Sequence, residues 1–343
     1  MPDHLIRIAA EEAWAPKGIL DQYKKLLAEK PQSWDPGFHS LWGFFLGSRP
    51  RATALVRRIQ DLEDERLRDM DATGIAKQLV FLTAPGVQVF DAATGVSLAR
   101  DANDELMVSV NRHKDRYAAL AAIAPQDPAA AVKEMQRAVA MGMKGAVVNS
   151  HIQGEYLDEP KYWPIFEAAQ ALDVPIYIHP QTPPASMIAP FLPRGLDGAI
   201  YGFAVETGLH LLRIIVGGVF DRFPNLKIAV GHLGEGLPFW LFRLDFMHRS
   251  MVTSERYPGA KPLKRTISEY MKTNVWITTS GMQWAPAIRF CQEVLGADRV
   301  LYAMDYPYQF VPEEVKVTDE MKISEADRKL LYQTNAEQLF KIK

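Results

Sequence analysis

Short apolar runs rich in β-branched residues recur along the chain and predict eight strands. Most of these runs lack alternation of apolar and polar residues, which is typical of strands buried on both faces of a parallel sheet. The predicted strands are Leu5–Ala9, Gln78–Leu82, Ala118–Ile123, Ala146–Val148, Pro175–Ile178, Ile228–Val230, Val275–Ile277 and Val300–Ala303. Segments with helical apolar spacing lie between them, at Ala52–Asp71, Ala129–Met141, Lys161–Leu172, Gly208–Phe220 and Pro286–Val294.

This alternation of strands and helices predicts an α/β fold of the (β/α)8 TIM barrel type. An open, doubly wound sheet is the alternative, and the lack of a glycine-rich dinucleotide fingerprint after the first strand disfavours it. Residues 13–76 and 180–226 form connections longer than a plain βα unit needs, and the second contains the proline-rich stretch Pro180–Pro193. Such connections are commonly lids, binding loops or subunit contacts. Since no shift of composition marks a linker, we expect residues 1–343 to form one barrel domain with long insertions after strands 1 and 5.

The charge balance and the cysteine content narrow the class of protein. Lys plus Arg number 39 and Asp plus Glu number 41, for a formal net charge of -2. Nucleic-acid-binding proteins normally show a basic excess, so we expect no nucleic-acid partner. Apolar runs stay below the roughly 18 to 20 residues of a membrane span, and Met1–Ile8 lacks the apolar core of a signal peptide. The single cysteine, Cys291, cannot form an internal disulfide, which fits a reducing compartment. We therefore expect a cytoplasmic protein without a membrane partner.

Candidate chemistry comes from polar residues at the ends of the predicted strands, where barrel enzymes carry their active sites. Glu11 and Glu12 follow the first strand, His179 the fifth, His232 the sixth and Asp305 the eighth. Alternation along a strand sends only one of the two glutamates inward. A carboxylate, an imidazole and a second carboxylate can converge on one divalent metal ion and leave positions open for substrate. The alternatives stay open at this point: either histidine can be a buried hydrogen-bonding residue, and the aspartate can form a turn.

Four motifs on these strand ends carry a resemblance to a known family. They are Ile8–Trp14, with the sequence IAAEEAW, Tyr177–Pro180, Val230–Glu235 and Tyr302–Pro307. On these motifs the chain resembles, over essentially its whole length, the metal-dependent amidohydrolase-like decarboxylases that act on hydroxylated benzoates. Within that family it is most similar to the bacterial enzymes for 5-carboxyvanillate, a fragment of lignin breakdown.

The resemblance implies a (β/α)8 barrel and one divalent metal ion, with Mn²⁺ as the first choice and Zn²⁺ as the second. The matching positions make Glu11, His179 and Asp305 the metal ligands. Many relatives carry a histidine two residues after the first-strand ligand, where this chain has Ala13. That departure counts against the hydrolytic branches of the family. The resemblance implies no organic cofactor.

The resemblance also implies roles in catalysis. Asp305 is the candidate acid that protonates the ring carbon, and His232 is placed to assist the proton transfer or to bind the phenolate. Glu235 can orient His232, although a carboxylate at the start of a helix is an equally good interpretation. His151 follows the fourth strand, and the sequence assigns it no role.

For the substrate, the matching positions give five contact residues. A second carboxylate on the ring calls for a guanidinium, because arginine pairs with carboxylates in a bidentate fashion. The candidates are Arg51 in the first long connection and Arg243 after His232, and each can instead be half of a surface ion pair. In the family the latter can reach a neighbouring subunit's site, which implies a homodimer or homotetramer. The remaining pocket candidates are Thr83, Phe203 and Tyr308, and Phe203 is as well explained as a core or interface residue.

The sequence thus predicts a carboxy-lyase that removes CO₂ non-oxidatively from an ortho-hydroxylated benzoate. Conversion of 5-carboxyvanillate to vanillate and CO₂ is the first expectation. The alternatives are decarboxylation of another dihydroxybenzoate (2,3- or 2,6-) and metal-dependent hydrolysis of a lactone or amide. A non-catalytic barrel is a third class, and it has no physical need for three ligand-type residues at strand ends.

Overall fold

The barrel is built from short parallel strands. The structure, a computed structural model, describes residues 5–342, so part of the N-terminal segment considered for targeting lies outside the described residues. Its strands are β1 Ile8–Trp14, β2 Lys77–Leu82, β3 Tyr117–Ala119, β4 Ala121–Ala122, β5 Ala146–Val148, β6 Ile176–Ile178, β7 Ile228–Val230, β8 Val275–Thr278 and β9 Val300–Leu301. They pair in parallel as two sheets with the orders β1-β2-β3 and β4-β5-β6-β7-β8-β9.

Backbone hydrogen bonds join the two sheets at both edges. The Leu120 N–H donates to Val80 O at 3.0 Å, whereas the next N–H, of Ala121, donates to Gly145 O at 2.9 Å. One extended segment therefore changes partners, and the single strand predicted at Ala118–Ile123 is observed as β3 and β4. On the other side, the Ala10 N–H donates to Tyr302 O at 2.9 Å. The predicted (β/α)8 TIM barrel is confirmed, since the strand order follows the chain around it.

Helices alternate with the strands and surround them. In the described part of the chain they are Lys17–Glu29, Pro36–Phe45, Pro50–Gln60, Asp64–Thr73, Ala92–Arg112, Pro128–Ala140, Trp163–Leu172, Gly202–Val216, Val219–Arg222, Leu237–Thr253, Ile267–Thr273, Ala285–Leu295, Pro312–Asp319, Glu325–Lys329 and Asn335–Phe340. A π-helical turn, Leu330–Thr334, precedes the last helix. Across residues 5–342, the helices fall short of the length or the hydropathy that a membrane span needs.

Several predicted elements differ from those observed. The helix predicted at Gly208–Phe220 is observed as two helices, Gly202–Val216 and Val219–Arg222. The first strand is predicted at Leu5–Ala9 but runs from Ile8 to Trp14, because two buried glutamates that looked like its end are part of the strand. The helix predicted at Ala52–Asp71 is two helices. Asp61 separates them, since its carboxylate accepts hydrogen bonds from the Glu63 N–H at 3.1 Å and the Arg66 N–H at 2.7 Å. A side chain that binds nearby backbone N–H groups ends one helix and begins the next.

An apolar cluster fills the space inside the strands. It joins Leu79 and Phe81 of β2 to Tyr177 of β6, and Leu339 and Phe340 of the C-terminal helix pack into the same cluster. Alternate strand residues face outward and pack under the surrounding helices. The barrel interior is therefore a packed core, and polar side chains collect at the carboxyl ends of the strands.

Candidate active site

Glu11 lies within β1 with a side chain that is 1% exposed. Its Oε2 accepts hydrogen bonds from the Tyr177 hydroxyl and, at 2.6 Å, from Thr278 Oγ1. Its Oε1 lacks a hydrogen-bond partner among the described residues. Gly231 permits this placement, because a Cβ there would stand 2.6 Å from both carboxylate oxygens. Two donors thus fix one oxygen and leave the other directed into the site.

Two histidines face that unpartnered oxygen. Nε2 of His179 stands 3.7 Å and Nε2 of His232 stands 3.9 Å from Glu11 Oε1, beyond hydrogen-bond distance. Burial lowers the pKa of His179 to about 4, against the opposing effect of Glu11, so this imidazole is neutral near pH 7. A neutral imidazole nitrogen beside a carboxylate oxygen is a donor pair that Zn²⁺ or Mn²⁺ accepts.

The donor set fits a divalent ion. A buried carboxylate oxygen without a partner is unfavourable, and a cation between Glu11 and His179 would satisfy it. Within residues 5–342, however, no group of three His, Cys, Asp or Glu side chains is already arranged to hold an ion. The structure therefore brings Glu11 and His179 together, and Asp305 as the third ligand remains a prediction.

The segment from His232 to Gly236 is a left-handed turn. Its backbone φ angles are 50°, 54°, 75°, 54° and 76° in order along the chain. Non-glycine residues pay roughly 1–2 kcal/mol each for this conformation, and such strain tends to lie at functional sites. The turn brings His232 Nδ1 to 2.8 Å from Glu235 Oε1. Burial alone would lower the pKa of His232, but the carboxylates of Glu235, Glu11 and Asp305 outweigh it and raise the pKa to about 10.

Asp305 follows β9 and also has a left-handed backbone, with φ of 70°. Burial raises the pKa of its carboxyl to about 7; His232 opposes the rise, and Glu11 and Glu235 add to it. Gly281 lies beside it, where a Cβ would stand 3.4 Å from Asp305 Oδ2 and 3.5 Å from His232 Cδ2. The aspartate and the histidine therefore flank the same glycine at the mouth of the barrel.

A cavity of 630 Å³ opens over these groups. His232, Glu235 and Asp305 provide its polar wall, and Gln309 adds an amide. The apolar lining includes Tyr201, Phe203, Leu237, Trp240, Leu244 and Met282. Its size and its mostly apolar lining with a few convergent polar groups are those of a small-molecule site.

The other predicted substrate contacts are placed differently. The side chains of Thr83 and Tyr308 meet at 2.6 Å between their hydroxyl oxygens, and Phe45 packs on the Tyr308 ring. Arg51 and Arg243 are exposed, and the described lining of the 630 Å³ cavity includes neither. Of these candidates, the structure brings only Phe203 to the cavity.

Several residues of the site escape the sequence analysis. Tyr177 and Thr278 fix Glu11, and Gln309 lines the cavity. For Tyr177 a signal exists: it precedes His179 by two residues, so both side chains share one face of the strand. His151, which has no role assigned from the sequence, lies outside the described lining of the 630 Å³ cavity. Its ring nitrogens contact Thr182 O at 3.0 Å and the Gly154 N–H at 3.2 Å, which is a structural arrangement.

A second polar cluster lies behind the first, around His210. Its Nε2 accepts from the Leu157 N–H at 3.0 Å, so Nδ1 carries the proton and faces Ser150 Oγ at 3.1 Å. Glu206 belongs to the same cluster and is completely buried, and burial raises its pKa to about 8. These groups lie outside the described lining of the 630 Å³ cavity.

The helix Leu237–Thr253 presents an unusually apolar face to solvent. Phe239 is 74% and Phe242 88% exposed, and Trp240 and Phe246 are more than half exposed. Arg243 projects from the same helix. Exposed aromatic patches of this kind mark interaction surfaces.

Comparisons with known proteins agree with this fold. A profile of the amidohydrolase family matches residues 34–342. A 5-carboxyvanillate decarboxylase from Novosphingobium aromaticivorans, crystallised with manganese and 3-methoxy-4-hydroxy-5-nitrobenzoic acid, is 50% identical with a TM-score of 0.97, covering 99% of this chain and 98% of that one. A dihydroxybenzoic acid decarboxylase from Polaromonas, crystallised with manganese and 2-nitroresorcinol, is 34% identical with a TM-score of 0.86, covering 98% and 97%.

A sequence relative points the same way. A gamma-resorcylate decarboxylase from Rhizobium radiobacter is 39% identical over 298 residues, which is 84% of this chain and 90% of the relative. The chain belongs to the amidohydrolase family and, within it, groups with decarboxylases of hydroxylated aromatic acids.

Proposed function

We propose that this protein is a metal-dependent carboxy-lyase that removes CO₂ non-oxidatively from an ortho-hydroxylated benzoate. The main support is the buried Glu11 Oε1, which lacks a hydrogen-bond partner among the described residues and faces the imidazoles of His179 and His232. His232 in turn lines the 630 Å³ cavity together with Asp305. The manganese-containing relatives with aromatic ligands support it.

The reaction sets three physical requirements. Direct loss of CO₂ from an aromatic ring would leave a carbanion in the ring plane, where the π system cannot delocalise the charge. An ortho phenolate instead donates electrons into the ring, so that the carbon bearing the carboxylate accepts a proton before CO₂ leaves. The site must therefore bind phenolate and carboxylate together, supply an acid at the ring carbon, and exclude bulk water.

The residues of this chain can meet these requirements. Glu11, His179 and Asp305 would hold the ion, which supplies positive charge for the phenolate and carboxylate oxygens. Asp305 would deliver the proton to the ring carbon after taking it from the substrate phenol as the phenolate forms. His232, whose Nδ1 lies 2.8 Å from Glu235 Oε1, would bind the phenolate oxygen or pass the proton of the substrate phenol to Asp305. The aromatic lining, including Phe203, would exclude water from the ring.

For the substrate we propose 5-carboxyvanillate, with vanillate as the product. The relative with 50% identity carries that name, and its ligand has a nitro group where the substrate would have the reacting carboxylate. The second, retained carboxylate would bind a guanidinium. Arg243 is our candidate for that contact, with Arg51 as the other; Thr83 and Tyr308 would complete the pocket.

We further propose a homodimer in which Arg243 reaches the partner's cavity. Its exposure, and the exposed aromatic residues Phe239, Phe242 and Phe246 on the same helix, support this assembly. We also propose Mn²⁺ as the native ion, no organic cofactor, and a cytoplasmic location in the catabolism of aromatic acids.

A substrate panel tests the proposal. Protein loaded with Mn²⁺ is incubated separately with 5-carboxyvanillate, 2,6-dihydroxybenzoate and 2,3-dihydroxybenzoate, and products are identified by mass spectrometry. We expect CO₂ from 5-carboxyvanillate, at a rate above the other two. Faster turnover of a dihydroxybenzoate would support the carboxy-lyase activity but would contradict 5-carboxyvanillate as the substrate. Absence of CO₂ from all three, with hydrolysis of a lactone or amide, would contradict the lyase.

A further inference from the structure

Glu12, the neighbour of Glu11 on β1, points away from the cavity and grips the loop that carries Asp305. Its carboxylate accepts a hydrogen bond from the Met304 N–H at 2.8 Å on Oε1 and another from the Tyr306 N–H at 2.9 Å on Oε2. The side chain is completely buried. The two backbone groups it binds flank Asp305 on either side.

These two hydrogen bonds act on a backbone conformation that is otherwise unfavourable. Asp305 has φ of 70°, which costs a non-glycine residue roughly 1–2 kcal/mol. A residue keeps such a conformation only when the surrounding structure holds it there. One side chain that binds the N–H groups on both sides of a residue restricts the backbone between them, so Glu12 is well placed to hold this conformation.

Further contacts hold the same loop to β1. The Ala13 N–H donates to Tyr306 O at 2.7 Å, and the Arg66 guanidinium donates to Ala13 O at 2.6 Å while lying 4.5 Å from the centre of the Tyr306 ring. The Arg66 charge also acts on the Glu12 carboxylate. The loop is therefore attached to β1 through both backbone and side-chain groups.

We propose that Glu12 is a positioning residue that sets the direction of the Asp305 carboxyl; the proposal rests on the proposed function. β1 then fixes both carboxylates of the site relative to each other, because Glu11 projects into the site from one face and Glu12 holds Asp305 from the other. A shift of about 1 Å in a proton donor is enough to slow a reaction by roughly a hundredfold.

The test is the variant Glu12→Gln, which keeps the shape of the side chain but turns one acceptor oxygen into an NH₂ group that faces a backbone N–H. We expect kcat for decarboxylation to fall about 10- to 100-fold at saturating Mn²⁺. Because Asp305 is also a proposed ligand of the ion, the variant is saturated with Mn²⁺ before each measurement. Under that condition we expect the Kd of 3-methoxy-4-hydroxy-5-nitrobenzoic acid to stay within about threefold of the unmodified protein, because binding of this analogue does not need the proton of Asp305.

Asp221→Asn is the matched control. Asp221 lies in the short helix Val219–Arg222, and both its carboxylate oxygens stand 3.2 Å from the Lys264 N–H. Its Oδ1 also accepts a hydrogen bond from the Tyr270 hydroxyl. This variant loses a comparable carboxylate-to-backbone contact, so its melting temperature should fall while kcat stays within about threefold. If Glu12→Gln does not fold, Glu12→Asp takes its place, since the shorter side chain cannot reach both N–H groups.

The outcomes separate the two proposals. If the unmodified protein releases no CO₂ from any ortho-hydroxybenzoate, the proposed function is wrong. If it is active and Glu12→Gln keeps kcat within threefold, Glu12 does not position the acid. Loss of analogue binding at saturating Mn²⁺ in parallel with kcat would also overturn the proposal, because it would indicate a general collapse of the site.

Discussion

His232 and His210 are both enclosed polar histidines, yet their pKa values move in opposite directions. Burial, together with the smaller effects of the nearby His151 and Arg213, lowers the pKa of His210 to about 3. Burial opposes the charge of His232 too, but three carboxylates raise its pKa to about 10. The difference shows that the surrounding charges, rather than burial, decide whether a buried histidine can carry a proton.

The same contrast extends to hydrogen bonding and access. Both ring nitrogens of His210 have partners, whereas His232 has one nitrogen bound to Glu235 and the other directed at an unsatisfied carboxylate oxygen. Only the His232 cluster, among the described residues, lines the 630 Å³ cavity. A buried cluster whose polar atoms all have hydrogen-bond partners stabilises the fold. A cluster that has polar atoms without partners beside a cavity can bind a ligand.

The strongest way to break the His232 cluster is Asp305→Asn, which removes the proposed acid. We expect kcat to fall by about a thousandfold or more, because proton transfer by a placed side chain is worth roughly 10²–10⁴ in rate. CO₂ release at saturating Mn²⁺ is the readout. A variant that keeps more than a tenth of the rate would rule out Asp305 as the acid.

Glu235→Gln removes the carboxylate that orients His232 and so tests whether the His232 cluster, unlike the His210 cluster, acts in catalysis. We expect kcat to fall about 10- to 100-fold, the usual cost of losing a partner that orients a site residue. Ser150→Ala is the counterpart at His210: it should cost about 1 kcal/mol of stability and leave kcat within about threefold. Equal losses of kcat in both variants would mean that the two clusters do not differ in function.

Arg243→Ala tests whether the arginine of a neighbouring subunit contributes to the cavity beside His232. We expect KM for a dicarboxylate such as 5-carboxyvanillate to rise about 10- to 100-fold, and KM for 2,6-dihydroxybenzoate to change less than threefold, because only the first has a retained carboxylate. Arg249→Ala, an exposed arginine on the same helix, is the control and should change neither. Equal effects on both substrates would show that Arg243 does not bind the retained group.

The smallest expected effect is on the pH dependence of stability, and it comes from Glu206 in the cluster around His210. Burial raises the pKa of Glu206 to about 8 from its ordinary value of 4.5, so the folded protein keeps this proton where the unfolded chain has lost it. Stability from this group is complete below pH 4.5 and is lost as the pH rises through 8. The free energy of unfolding should fall between pH 5.5 and 8.5 in the unmodified protein. In Glu206→Gln this fall should be smaller by at least about 1 kcal/mol, because glutamine has no proton to lose. Parallel losses would contradict the raised pKa.

The sequence predicted the barrel and most of the strand-end residues, because strands buried on both faces and polar residues at their ends leave local signals. It did not predict the extent of β1, since polar residues inside a buried strand break the apolar pattern. Nor did it predict that Tyr177 and Thr278 fix Glu11, because these contacts join strands far apart in the chain. The single-domain organisation remains a prediction, as do the metal-binding, catalytic and substrate-binding roles of all the site residues named from the sequence.

Decarboxylation through protonation of the ring carbon can be followed with the Mn²⁺-loaded protein and 5-carboxyvanillate in D₂O by NMR and mass spectrometry. We expect CO₂ and vanillate with one deuterium on the ring carbon that carried the lost carboxylate. Recovery of unchanged substrate, or of a product formed by addition of water without CO₂, would contradict the proposed decarboxylation.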